Sequence, residues 1–326
     1  MDTLWDIKIQ LVFFLQNLGE WLRGPMQGFT FLGEQEFFIL IIPALYLCIN
    51  PAAGMRFALF LVMTGSISEY FKFLFHAPRP FWVSQQVQAM AVETSFGLPS
   101  GHAQNAVVVF GSLTRSFRQR WLGWIIFGLA FLIGISRLYL GMHFPSDVLV
   151  GWLIGYILLR LAFKLEGPFL VWFKRKQGTM QIVLVFLGSV GIIAIGWLLR
   201  LAFSNWEIPS EWAANAAAAL PPDEPFNPFS LEVFVSAGGL FLGLAAGAIL
   251  LASRGGFNAQ GSLVQLAARY LLGVAGLLVL YRGLDLIFPE GESLVAFIFR
   301  YVRYAAMGFW LFALAPLIFR RIGLAK

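Results

Sequence analysis

The sequence predicts an all-α polytopic membrane protein, a bundle of transmembrane helices, and three observations predict it. Hydrophobic residues make up 59% of the 326-residue chain, charged residues only 12%, and the mean hydropathy is +0.76. A water-soluble globule of this composition would have far more apolar surface than it could cover. The apolar residues come in long runs separated by short polar, Gly- or Pro-bearing turns, as in helices that satisfy their own backbone within lipid. Lys and Arg fall mostly in those turns, so the net charge of +6 and pI near 9.6 describe membrane topology rather than a nucleic-acid partner.

Residues 1–34 mix Trp5, Phe13, Phe14, Leu18 and Trp21 with Asp6, Lys8, Glu20 and Arg23, too interrupted to cross a hydrocarbon core of about 30 Å. They read as an interfacial helix. Asp2 and Asp6 precede a short apolar patch over 9–15 with no small-residue cleavage site, so the mature chain is expected to keep its first residues. Five spans follow, at 36–48, 55–75, 102–113, 121–139 and 146–164, with Pro51 and Gly54 turning the chain between the first two. The proline-bearing stretch 76–99 is a loop outside the hydrocarbon. Four further spans are placed at 181–203, 231–253, 270–288 and 295–319. The chain thus divides into an interfacial segment (1–34), a five-span core (35–165) and a four-span C-terminal extension (166–326) of unassigned role, nine spans in all. Taking 9–31 as a further span would move the N-terminus across the membrane without moving anything else. Cys48, the only cysteine, lies within an apolar run as a packing or lipid-facing residue, so internal disulfides and thiolate metal clusters are excluded. The run 213–220 before Pro221-Pro222 is an alanine-biased patch in a long outer loop, and no internal repeat links the two halves.

Orientation follows from the basic residues. Arg115, Arg118, Arg120, Arg160, Lys164, Lys174, Arg175, Lys176, Arg254, Arg320, Arg321 and Lys326 collect on one side, which is therefore cytoplasmic. The loops 204–230 and 289–293 on the other side carry Glu207, Glu211, Asp223, Glu224, Glu290 and Glu292 but no Lys or Arg.

That non-cytoplasmic side also carries three polar pieces: Lys-x6-Arg-Pro from Lys72 to Pro80, Pro-Ser-Gly-His from Pro99 to His102, and Ser-Arg-x5-His-x3-Asp from Ser136 to Asp147. Together they supply what cleavage of a phosphate ester needs. Lys72, Arg79 and Arg137 are cations for a dianionic head, the arginines suited to bidentate contact. Ser100 and Gly101 lie where a loop enters a helix, so their amides can join an anion-binding helix N-terminus. His143 can attack phosphorus, Asp147 can hold its other ring nitrogen, and His102 can protonate the leaving oxygen. No metal or other cofactor is needed. Any one of these residues could be an interfacial anchor or a loop-satisfying histidine; three pieces in order on one face form a functional cluster.

The three pieces resemble the signature of the type 2 phosphatidic acid phosphatase (PAP2) family, over roughly residues 35–165, with the last four spans outside the likeness. By that resemblance His143 is the nucleophile, Asp147 orients it, His102 is the general acid, and Lys72, Arg79, Ser100 and Arg137 bind phosphate; no position departs from the pattern. His76, inside the first piece, sits at a variable position and is expected to be a loop or interface histidine. The same signature occurs in soluble vanadium-dependent haloperoxidases, against which the apolar spans argue. The resemblance implies hydrolysis of phosphatidic acid, phosphatidylglycerophosphate, a polyprenyl diphosphate or a sphingoid-base phosphate, with the bilayer and its lipids as partners and no obligate protein partner. A phosphotransferase using the same phosphohistidine, or a non-enzymatic lipid transporter, are the alternatives. Short loops suggest a bacterial inner membrane, with an internal eukaryotic membrane as the alternative.

In the extension, Arg200, Arg282, Asp285, Arg300 and Arg303 break the charge bias. Either they form an ion-paired seam between the last spans or they make an accessory headgroup site. Trp121, Trp172, Tyr301 and Tyr304 read as interfacial belt residues. Phe81 and Trp82 read as the lining of a chain entrance or as interface anchors.

Overall fold

The computed structural model describes residues 3–117, 119–222 and 226–325, with 3–5 and 120 described by their backbone alone. Of the charges used for orientation, Arg118, Asp223, Glu224 and Lys326 lie outside the described residues, as does Asp2; Trp5 and Arg120 are described in backbone only. The described residues are helical, without strands, in the order α1 (Thr3–Gln16), α2 (Arg23–Phe31), α3 (Gln35–Ile49), α4 (Pro51–Phe75), α5 (Pro80–Val83), α6 (Gly101–Asn105), α7 (Arg120–Tyr139), α8 (Pro145–Lys174), α9 (Gly178–Ala202), α10 (Ser210–Ala219), α11 (Glu232–Ser253), α12 (Leu263–Gly283) and α13 (Leu294–Arg321). Among the described residues seven helices are long and apolar enough to cross a membrane, or eight if the pair Glu20–Phe31 and Gln35–Ile49, bent by 52°, counts as one span. The expected count of nine is corrected accordingly. The stretch 36–48 is one arm of that bent pair, and 102–113 belongs to a short helix, α6 prolonged by a wider π turn over Ala106–Phe110.

Local chemistry fixes where the site-bearing helices begin and end. Asn50 caps α4 by accepting from the Ala53 N–H at 3.1 Å, with Pro51 in the first turn. At the other end of α4, His76 adopts φ 48°, a left-handed conformation unusual for a side-chain-bearing residue, and its N–H returns to the Lys72 carbonyl at 3.1 Å. Ser100 caps α6, and the Asp147 carboxylate accepts from the Phe144 N–H at 2.8 Å to open α8.

Glycines set how closely these helices approach. Gly151 and Gly155 of α8 press on α6, where an added methyl would stand 2.7 Å from the Ser100 carbonyl oxygen and 2.8 Å from that of Gln104. This is the small-xxx-small contact of membrane helices. Gly239 and Gly243 of α11 do the same against the Tyr301 and Ala305 carbonyls of α13.

Two cores join the halves. One, at the level of the spans, gathers Tyr46, Leu47 and Val62 with Leu244, Leu277 and Phe312. The other lies beside the signature loop, where Phe81, Trp82, Phe96 and Phe144 meet Val12 of α1, Ala216 of α10 and Leu220 just past its end. The alanine-biased patch is therefore a helix, α10, seated on that loop, with Asn215 donating to the Trp82 carbonyl at 2.9 Å. Phe81 and Trp82 are buried beneath it, so they are neither interface anchors nor the lining of an open entrance. Tyr304 is buried and its hydroxyl accepts from Gln35, and the Tyr301 hydroxyl bonds Ser189 at 2.8 Å. Both are packing residues rather than belt residues; Trp121 and Trp172 remain exposed. Cys48 is likewise a packing residue, its thiol donating to the Leu266 carbonyl.

The unusual charges of the extension are paired. Arg303 meets Asp285, Arg300 meets Glu232 at 2.8 Å, and Arg200 meets Glu292 at 2.7 Å, forming an ion-paired seam around α13. Arg282 makes a long, exposed contact with Glu36 at 3.8 Å and lies over the Tyr281 ring, 4.9 Å from its centroid.

Candidate active site

The three pieces converge. Lys72 ends α4, Arg79 precedes α5, Ser100 to His102 open α6, Arg137 lies in the last turn of α7, and His143 and Asp147 bracket the start of α8. A backbone bond from the Ser100 N–H to the Asp147 carbonyl at 2.9 Å ties the second piece to the third. Arg79, Ser100 and Arg137 have no measurable exposure, and Lys72, His143 and Asp147 are buried.

Arg79 is held by the carbonyls of Ser95, Met142 and Phe96 at 2.6, 3.0 and 3.2 Å. These bonds aim its guanidinium at the His143 ring, with Nη1 3.3 Å from Nε2. A guanidinium only donates, so Nε2 accepts. The neutral ring therefore carries its proton on Nδ1, which faces Asp147 Oδ2 at 3.6 Å, longer than a hydrogen bond. Burial first, then the cations Arg79, Arg137 and Lys72, push the His143 pKa well below the ordinary histidine value. The ring is thus neutral at pH 7, with an unprotonated lone pair at Nε2 that faces Arg79.

Arg137 donates to Thr30 Oγ1 at 2.7 Å and to Glu93 Oε1 at 2.5 Å. Glu93 Oε2 accepts from Arg79 at 3.1 Å, so this carboxylate bridges two guanidinium groups. Burial alone would raise its pKa; Arg79 and Arg137, then Lys72 and His102, overcome that and hold it well below the usual carboxylate range. Lys72 donates to Glu69 at 2.6 Å and to Ser95 Oγ at 2.9 Å. His102 sits with Nε2 3.4 Å from Glu34 and Nδ1 4.0 Å from Glu93. The Ser68 hydroxyl faces Gly101 and has no hydrogen-bond partner among the described residues.

Every residue expected in the site is therefore brought to one place. Glu34, Glu69, Glu93, Ser95 and Thr30 were not anticipated. Only Glu69 left a trace in the sequence, three residues before Lys72 on the same helix face. His76 stays out of the cluster, stacked on Trp206 with centroids 4.5 Å apart and packed by Phe96, Phe203 and Phe229.

A cationic cradle facing a neutral histidine backed by a carboxylate, within apolar helices, defines a membrane-embedded phosphatase. Residues 53–169 match the family model for the PAP2 superfamily, and 235–326 match one described as PAP2 superfamily phosphatase, transmembrane extension. Phosphatidylglycerophosphatase B of Bacillus subtilis (strain 168) is 31% identical over 161 residues, covering 44% of this chain and 74% of that protein. The chain belongs to the PAP2 superfamily and is a multi-pass phosphate-ester hydrolase. Sphingosine-1-phosphate phosphatase 2 of Mus musculus is 30% identical over 138 residues, which is 40% of this chain and 39% of that one. Glucose-6-phosphatase 3 of Bos taurus is 26% identical over 247 residues, 67% of each. The family likeness does not end near residue 165, since the extension has a family model of its own.

Proposed function

We propose that the chain hydrolyses a lipid phosphate monoester or diphosphate through a phosphohistidine on His143, without a metal, at the non-cytoplasmic membrane face. The observation that carries this is the His143 ring, with Nε2 beside Arg79 and Nδ1 toward Asp147. Arg79, Arg137 and Lys72 take the phosphate oxygens, with the Gly101 amide and the Ser100 hydroxyl completing the cradle. His143 Nε2 attacks phosphorus and the bond to the lipid oxygen breaks. The Nδ1 proton stays on the ring, and Asp147 offsets the positive charge that develops. His102, protonated when a phosphate dianion is beside it, gives its proton to the leaving oxygen. The neutral His102 then takes a proton from water, whose oxygen attacks phosphorus as the P–N bond breaks, releasing phosphate and restoring both rings.

Relatives named for phosphatidylglycerophosphate, sphingosine 1-phosphate and undecaprenyl diphosphate support a lipid substrate, and the loop charge bias supports the outward face. Short loops support a bacterial inner membrane. The glucose-6-phosphatase 3 likeness, which spans both halves of the chain, favours a second reading, hydrolysis of a soluble sugar phosphate. The test is phosphate release by purified protein with EDTA, across those lipid phosphates, phosphatidic acid and glucose 6-phosphate, with His143→Ala alongside. Release that survives chelation and vanishes in the variant is the expected result. Release by glucose 6-phosphate alone would select the second reading. Label passing to an acceptor lipid in place of water would select a phosphotransferase, and turnover retained without His143 would overturn the mechanism.

A further inference from the structure

A cavity of about 310 Å³ lies between the two halves, walled by α3 and α4 on one side and by α11, α12 and α13 on the other. Among the described residues no charged one lines it. Its polar lining comprises Gln35, Ser66, Asn105, Ser236 and Tyr304, and the end at Gln35 and Asn105 adjoins the active site. Gly33 of its wall is in contact range of the His102 ring, the next residue, Glu34, faces His102 Nε2, and Asn105 lies one turn along α6 from His102. The Asn105 amide oxygen is buried without a hydrogen-bond partner among the described residues, so a donor on an incoming molecule would satisfy it. Away from the site, the lining becomes purely aliphatic and aromatic toward Ala58, Leu244, Leu277 and Phe312.

From Ser66 to Ala58 on α4 and from Val233 to Leu244 on α11, a helical rise puts the depth at roughly 12–16 Å. Taking a methylene as similar to the roughly 30 Å³ of a water molecule, the volume takes about ten carbons. One residue marks the space as built. Gly65 lies mid-helix in α4, where glycine carries a cost relative to alanine. It lines the cavity, and a Cβ there would meet nothing within 4 Å. Neither close packing nor a left-handed backbone asks for glycine at that position.

We infer that this cavity is the acyl-chain site of the substrate, and that the C-terminal extension exists in part to supply its far wall. The inference rests on the proposed lipid phosphatase activity. With the phosphate in the cradle, the chain passes Gly33 and Asn105 and lies along α4 and α11. The occupant is a single hydrocarbon chain attached through a short polar neck; the uncharged wall rejects a second headgroup. A selective chain-length preference follows, set by residues remote from the chemistry.

The test compares dodecyl phosphate with butyl phosphate in one detergent, using full-length wild type, Gly65→Leu from the core side and Ala237→Leu from the extension side. Both variants should lower kcat/KM for the dodecyl ester about tenfold more than for the butyl ester. Gly191→Leu on α9, a helical glycine with equally open space and outside the lining, should leave the ratio at its wild-type value. An unchanged ratio in both cavity variants, or an equal fall for both esters, overturns the inference. Photolabelling with dodecyl phosphate carrying a diazirine at the chain end decides it independently of turnover. Labels on α4, α11 and α13 that vanish in Gly65→Leu are expected, and labels confined to the outer faces of α8 and α9 refute it. If wild type releases phosphate from neither ester, the proposed activity falls while the labelling still judges the cavity.

Discussion

Glu93→Gln keeps the shape of a side chain that bridges Arg79 and Arg137 but removes its charge. A phosphate entering the cradle must take the same two guanidinium groups, so the native carboxylate competes with it. Each charge-assisted bond, at 3.1 and 2.5 Å, is worth about 1.5–3 kcal/mol. The Glu93 side chain is 21% exposed, so partial solvent screening reduces the sum, leaving about 1.5–3 kcal/mol in total. Inorganic phosphate should therefore inhibit Glu93→Gln roughly ten- to a hundredfold more tightly than wild type. The empty variant should melt lower, because two buried cations lose their partner, at a cost of about 3 kcal/mol. Phosphate should restore more of that loss than it adds to wild type, as expected for a ligand that binds only the folded state. The pH dependence has a definite sign. Glu93 has a depressed folded pKa, so its stabilisation is present above the unfolded carboxylate value of about 4.3 and is lost as pH falls through the folded value. The variant should lack that part of the acid limb. Competitive inhibition constants and phosphate-dependent melting curves measure all of this. A phosphate constant unchanged or weaker in Glu93→Gln would refute the competition and make Glu93 part of the scaffold that receives substrate.

Three further outcomes are expected. Because the His143 pKa lies well below the ordinary value of about 6.5, the acid limb of kcat/KM should fall at a pH lower than that; protonation of the nucleophile near pH 6.5, read from a pH profile, would contradict the burial and charge argument. Gly151→Val drives a side chain into the Ser100 carbonyl and should cut kcat about a hundredfold or more by misplacing α6. Gly123→Ala, with open space around it, should keep wild-type turnover. Arg303→Ala removes the buried partner of Asp285 and should lower the melting temperature while leaving KM for a lipid phosphate unchanged; a raised KM in a protein that melts normally would revive the accessory headgroup site.

The signature was legible because its chemistry is carried by short, fixed spacings, and the structure brings Lys72, Arg79, Ser100, His102, Arg137, His143 and Asp147 together as those spacings imply. Glu93 and Thr30 were not legible. Nothing near them in the chain marks them, and only the folding back of the 76–99 loop and the approach of α2 bring them to the arginines. The span count failed where hydropathy met geometry, since α3 is half of a bent pair and the helix that α6 opens closes in a 3-10 turn at Leu113–Arg115, too short to cross. Tyr301 and Tyr304 misled for a related reason, because aromatic residues near a span end look alike whether they face headgroups or a neighbouring helix. The paired charges of the extension gave two possibilities in sequence, and only the placement of Glu232, Asp285 and Glu292 chose between them.

The left-handed turn at His76 has a mechanical consequence. By swinging the imidazole away from the arginines and into a cage shared with Phe203, Trp206 and Phe229, it rivets the rim of the catalytic pocket to a segment more than a hundred residues downstream. The fastening is made of aromatic faces and an uncharged backbone contact at Leu74, so high salt would not loosen it as it loosens surface ion pairs. Pulling on either half should transmit load through that rivet before any signature residue moves, and the two halves should unfold in one cooperative step rather than peel apart in sequence.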